Sequence, residues 1–156
     1  MSLHSSIPRI PFTADAYAKM QAEYRELLKE QDELVVRVNT ARLMGDLSEN
    51  GAYKYGKIEL GNVRHRLRDL KHLITHGEVV TASKSGFISF GSTITLQNAA
   101  KKMTFTLVSE FESDPAQGKL SDSSPIGQAV KGKKIGDSVV VVTPNGEMMY
   151  EIASVE

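Results

Sequence analysis

Gly45-Asp46-Leu47-Ser48-Glu49-Asn50 is the stretch on which the fold turns. Before it, Tyr17, Met20, Tyr24, Leu27, Gln31, Leu34, Val38 and Ala41 recur at alternating steps of three and four. This is a heptad seam broken in polarity only at Gln31. No Gly or Pro interrupts residues 13–44, so about 30 residues rising 1.5 Å each predict a helix of about 45 Å. After the turn the spacing resumes with Tyr53, Gly56, Leu60, Val63, Leu67, Leu70 and Ile74. Two seams joined by so short a loop must pack antiparallel. The turn is then the tip of a coiled-coil hairpin, with the carboxylates of Asp46 and Glu49 on it. Acids carried at the end of a stalk suggest delivery to a site on another molecule.

Local chemistry supports that reading. Thr13 or Asp15 suits the first helix's N-cap, Gly45 the left-handed residue that ends it, and Asp46 or Ser48 the cap of the second. Gly51, Gly56 and Gly61 each weaken the second helix by about 0.8–1 kcal/mol relative to Ala. Gly56, on the seam, lets the helices approach closely. From Asp15 to Glu33 acids outnumber bases, and from Lys54 to Lys71 bases outnumber acids. Cross-helix pairing, at about 0–1 kcal/mol per exposed pair, is the simplest use of that imbalance.

Residues 1–11, with Pro8 and Pro11, read as an arm. Beyond Gly77 the period changes. Segments 78–82, 87–96, 103–111, 138–143 and 147–154 are rich in β-branched and aromatic residues. Gly91 suggests a bulge, and Pro144-Asn145-Gly146 a hairpin turn between the last two strands. Ser124-Pro125-Ile126 reads as cap, first residue and start of a short helix ending near Gly132. The fold class is α+β. A coiled-coil hairpin occupies 1–76, its acidic tip at 45–50, and a small antiparallel sheet domain with one short helix occupies 77–156.

Composition narrows the function. The 156 residues are 40% hydrophobic and 24% charged, with zero formal net charge, against the basic surface that gripping duplex DNA requires. The absence of cysteine excludes disulfides and thiolate chemistry. No signal-peptide pattern and no apolar run of membrane-spanning length is present, so the expectation is a cytoplasmic protein with no membrane partner. His72 and His76, four apart on a helix, have no evident third ligand and read as solvated surface. On spacing alone Asp46 and Glu49 serve as helix N-terminal acids. Alternatively they hold a divalent cation incompletely, since Mg²⁺ is typically bound by one or two carboxylates together with phosphates and water.

The hairpin with Gly-Asp-Leu-Ser-Glu-Asn at its tip and Ala52-Tyr53 following resembles the bacterial Gre transcript-cleavage factors. So does the C-terminal Ser-Pro-Ile-Gly-Gln-Ala-Val-Lys-Gly-Lys-Lys-Ile-Gly-Asp block with Val-Val-Val-Val-Thr-Pro-Asn-Gly-Glu after it. The resemblance runs from about Ile7 to Val155. It implies an FKBP-like C-terminal domain that binds RNA polymerase at the rim of its secondary channel, without isomerase activity. The hairpin would reach the nascent RNA 3′ end of a backtracked complex.

In this resemblance the protein is a monomer and no enzyme itself; it stimulates cleavage by the polymerase. Asp46 and Glu49 would help hold a shared Mg²⁺ and orient water, and Ser48 and Asn50 would support the tip. Arg42 and Lys57 match the family's RNA-holding basic patch, with Arg37 and Lys54 as neighbours by spacing alone. Tyr53 matches a family tyrosine yet falls on the seam, where packing is its main role. Ala52, Tyr55, Gly56 and Ile58 depart from the usual, more charged pattern. The modest basic patch points to the A-type. Two rival readings are a channel-binding inhibitor that does not promote cleavage, and a coiled-coil chaperone or adaptor.

Overall fold

The computed structural model describes residues 7–46 and 49–156. The chain divides into two compact units, one containing Tyr17–Gly77, the other Arg9–Ala16 together with Glu78–Glu156. Residues 9–16, ahead of the hairpin in sequence, thus group with the second unit.

The helices α1 (Ala14–Arg42), whose first three residues group with the second unit, and α2 (Gly51–His76) form the antiparallel hairpin. The seam positions are the least exposed on both helices. Leu34, Val38, Ala41, Gly56, Leu60, Val63, Leu67 and Leu70 are buried, while Tyr17, Met20, Tyr24, Leu27 and Gln31 are half-buried. Burying a Val or Leu side chain contributes about 1.5–3 kcal/mol, so the apolar grip is strongest over the tip-side half of α1. Towards the other end the Tyr17 hydroxyl donates to the Ile74 carbonyl at 2.9 Å, satisfying a group that the last turn of α2 leaves without an intrahelical donor. Thr13 is the N-cap of α1. Its Oγ1 accepts from the Ala16 amide at 3.3 Å, and its own amide and hydroxyl donate to Glu112 at 2.8 and 2.6 Å.

The expected arm contains a strand, β1 (Ile10–Phe12), paired with β2 (Gly77–Val79). Phe12 is buried beside Phe111, their ring centroids 6.2 Å apart. A three-residue strand is too short to show a period, and its partner lies far along the chain. Next come β3 (Thr93–Gln97), β4 (Lys102–Val108), β5 (Lys119–Ser121), α3 (Pro125–Val130), β6 (Ser138–Thr143) and β7 (Gly146–Val155). The five-stranded sheet has the order β5-β4-β3-β7-β6. It is antiparallel apart from the parallel β4–β5 pair, which the sequence reading did not include. Ile94, Leu96, Leu107, Val130, Val141 and Ile152 form its fully buried centre.

Three strand readings shift. The expected 87–96 strand shortens to β3, because Gly91, at φ +83°, makes a turn before it. The bulge falls instead between Thr95 and Leu96 in the pairing with β7. The expected 78–82 strand stops at Val79 and the expected 103–111 strand at Val108. The other expected features are present. Pro144 and Asn145 join β6 to β7, closing on the Thr143–Gly146 pair with Gly146 at φ +113°. Ser124 caps α3, accepting from the Gly127 amide at 3.0 Å and donating to the Ser121 carbonyl at 2.6 Å. A Cβ on Gly127 would collide with the Ser121 carbonyl oxygen, so only glycine lets α3 lie this close to the end of β5.

Two seam-helix glycines behave oppositely. A Cβ on Gly56 would lie 2.9 Å from Val38 Cγ2, whereas one on Gly61 meets nothing within 4 Å. Val38 is buried and β-branched, so it has little freedom to retreat. Gly61→Ala therefore stabilises the hairpin by about 0.8–1 kcal/mol. Gly56→Ala loses that gain to steric strain and lowers the melting temperature. Thermal unfolding followed by helical circular dichroism separates the two, and an equal rise in both variants contradicts the close packing at Gly56.

Candidate functional site at the hairpin tip

The tip is built by ending one helix and starting the next within a few residues. Helix α1 closes with a tightened turn, Leu43 N–H to the Thr40 carbonyl at 3.2 Å and Met44 N–H to the Ala41 carbonyl at 3.1 Å. Gly45 follows at φ +116°, a conformation that disfavours side chains. The cap of α2 is Asn50, in place of the Asp46 or Ser48 expected for that role. Asn50 Oδ1 accepts from the Tyr53 amide at 3.0 Å, while its Nδ2 donates to the Ala41 carbonyl at 2.6 Å. One side chain therefore satisfies an N-terminal donor of α2 and a C-terminal acceptor of α1. The asparagine amide offers an acceptor to the start of one helix and a donor to the end of the other, which an ionised aspartate cannot.

Asp46 and Glu49 flank Leu47 and Ser48, and both acids are exposed. The expected tip support by Ser48 lies outside the described residues. Among the described residues no three His, Cys, Asp or Glu gather as a cation cage. Two exposed carboxylates suit Mg²⁺ only as a site shared with another molecule's ligands. The donor set fits an ion completed by a partner.

The four basic candidates divide. Arg42 closes α1, and Arg42, Lys54 and Lys57 are all exposed. The Lys57 ammonium sits 5.2 Å from the centroid of the Tyr53 ring, a cation–π contact. Arg37 differs, because its Nη1 lies 3.3 Å from Glu59 Oε2. Arg37 and Glu59 each precede a seam residue, whereas Arg42 and Lys57 each follow one. In an antiparallel pair these positions lie on opposite flanks. The structure thus leaves Arg37 apart from the other three.

Sequence reasoning passed over Leu43 and Met44 beside the tip, 86% and 73% exposed. Their only signal is being apolar and off the seam. The rings of His72 and His76 lie 4.5 Å apart, with no third metal-binding side chain grouped with them among the described residues.

Asn50→Ala removes the cap and the bridge together. A lost cap costs about 0.5–2 kcal/mol, and the Ala41 carbonyl keeps only the Met44 amide as donor. Asn50→Asp keeps an acceptor for Tyr53 but cannot donate to Ala41, so its loss should be intermediate. Amide hydrogen exchange over residues 50–54 and thermal melting measure the series. Equal stability of Asn50→Asp and the parent chain refutes the bridging role.

Comparison with known proteins places this geometry. Residues 10–79 match the family model described as transcription elongation factor, N-terminal, and residues 82–156 that of transcription elongation factor, GreA/GreB, C-term. Transcription elongation factor GreA of Pseudomonas putida is 37% identical over 157 residues, spanning 97% of this chain and 98% of its own. The GreA of Neorickettsia sennetsu is 36% identical over 153 residues, spanning 95% and 96%. Among solved structures, the GreA factor homolog Gfh1 of Thermus thermophilus aligns over 95% of this chain and 99% of its own. It is 18% identical, with a TM-score of 0.45. With both parts of the chain matched and relatives identical at more than a third of positions over nearly full length, the protein belongs to the GreA/GreB family of transcription elongation factors.

Proposed function

We propose that the protein docks on RNA polymerase as a monomer and stimulates the polymerase to cleave backtracked nascent RNA, without being an enzyme itself. The observation that carries this reading is the pair of exposed carboxylates, Asp46 and Glu49, on a turn closed by the Asn50 bridge. A hairpin with a buried seam can present such a turn inside a channel, with a stiff two-helix stem behind it. In this reading the protein works in the cytoplasm, wherever the polymerase is transcribing.

Asp46 and Glu49 would supply carboxylate oxygens to a Mg²⁺ shared with the polymerase and accept hydrogen bonds from the attacking water. Such an ion, when bound, acidifies water and stabilises developing charge on phosphate oxygens. Arg42, Lys54 and Lys57 would steady the RNA 3′ segment through its phosphates. The Lys57 contact with Tyr53 holds one of these ammonium groups near the tip. An acceleration of about 10³-fold asks the tip for only about 4 kcal/mol, within reach of two carboxylates positioned in a site that excludes water.

Asp46→Asn and Glu49→Gln should each lower cleavage in a stalled, backtracked elongation complex by about 10- to 1000-fold, equivalent to about 1.4–4 kcal/mol. Binding to the polymerase should be retained. Short 3′ fragments released from labelled RNA in the presence of Mg²⁺ report the result. Undiminished cleavage by both variants rejects the proposal, and a wild-type chain that binds without producing fragments identifies an inhibitor instead.

A further inference from the structure

The hairpin is electrically two-sided. The cross-helix ion pairs Glu23–Arg66 at 2.6 Å and Arg37–Glu59 at 3.3 Å occupy positions immediately before a seam residue. The Glu23 hydrogen bond raises the Arg66 pKa further. The other flank, made of residues immediately after the seam, is different. On α2 it carries Lys57, Arg64 and Lys71, and on α1 Arg42, all exposed. Among the described residues none of these four has a carboxylate partner. The matching α1 positions hold Val35, Leu28 and Gln21, none of them acidic. Arg68 stands one turn from both Arg64 and Lys71, and such like-charge neighbours cost a few tenths of a kcal/mol each. The chain thus places these two ion pairs on one flank and gathers mostly positive charge on the other, where the sequence places one acid, Asp32.

The spacing selects an occupant. Lys57, Arg64 and Lys71 are seven residues apart, so they stand in line at about 10.5 Å intervals along α2. That is the repeat of a second α-helix bearing a carboxylate once per heptad. Leu28, 39% exposed, and half-buried Val35 offer apolar contact across from the cations, as beside a coiled-coil seam. A single nucleic-acid strand calls for aromatic surfaces on which bases stack. Residues 61, 64, 68 and 71 of α2 and 21, 25, 28, 32 and 35 of α1, which form this flank away from the tip, include no aromatic residue.

We propose that this flank, behind the tip, docks along an acidic α-helix of the partner protein, with Arg64 and Lys71 each facing a carboxylate and Leu28 and Val35 against its apolar positions. The proposal rests on the polymerase being that partner. It concerns the stem of the hairpin and how the factor is held, where the tip concerns cleavage.

Two measurements on the full chain with a purified backtracked elongation complex test it. Arg64→Glu with Lys71→Glu should weaken polymerase binding about tenfold or more at low ionic strength, the deficit shrinking as salt rises. Lys29→Glu, on the outer face of α1, should bind as the parent does. A photocrosslinking residue in place of Gln21, level with Lys71, should label a polymerase polypeptide at a helical segment with acids seven apart. Label recovered in RNA or DNA overturns the proposal in favour of a nucleic-acid track. Unchanged binding by the double variant, or no crosslink, overturns it in favour of a merely solvated face. Failure of the tip reading is distinct, since it shows as full cleavage by Asp46→Asn with the flank's binding intact.

Discussion

Two helix ends brought side by side create the constraint that the tip must solve. Each end leaves backbone groups without intrahelical partners, and a turn of a few residues has little material with which to satisfy them. The Asn50 amide serves both ends at once, accepting from Tyr53 and donating to Ala41. That pair of hydrogen bonds couples the last turn of α1 to the first turn of α2, and Asp46 and Glu49 lie in the segment it closes. Just behind it, Gly56 lets α2 come against Val38. Close approach and amide bridge together hold the start of α2, with its Gly51 and Gly56, against the end of α1.

The second unit uses the same device elsewhere. Glycine at 127 admits the Ser121 carbonyl at a distance no Cβ would tolerate, and the Ser124 hydroxyl joins helix start to strand end as both donor and acceptor. Thr13 likewise caps α1 while donating twice to Glu112. In all three places a small polar side chain at a helix start also bonds to a second segment.

Charge gives the hairpin a division of labour. Its tip is acidic, one flank carries the ion pairs Glu23–Arg66 and Arg37–Glu59, and the opposite flank is mostly basic. The whole chain has zero formal net charge, so composition alone argues against a polyanion-binding protein while the arrangement creates a cationic strip. Surface pairs such as Arg37–Glu59 stabilise little. Their consequence is to remove one candidate cation, Arg37, from the group formed by Arg42, Lys54 and Lys57.

The hairpin, its antiparallel sense, its seam and the position of the acids were all legible in the sequence. Heptad periodicity and a short connection leave one packing solution, and every residue named for the seam is buried or half-buried. The β6–β7 turn and the Ser124-Pro125 helix start were legible too, because turn and cap chemistry are local. What only the tertiary structure decided is non-local. It set the pairing of Ile10–Phe12 with a strand more than sixty residues away, the parallel β5 strand, and the limits of β3. It also chose Asn50 over Asp46 or Ser48 as the cap. Spacing shows which side chains can cap a helix; only the neighbouring Ala41 carbonyl, brought close by the folded hairpin, makes an amide the one that satisfies both ends.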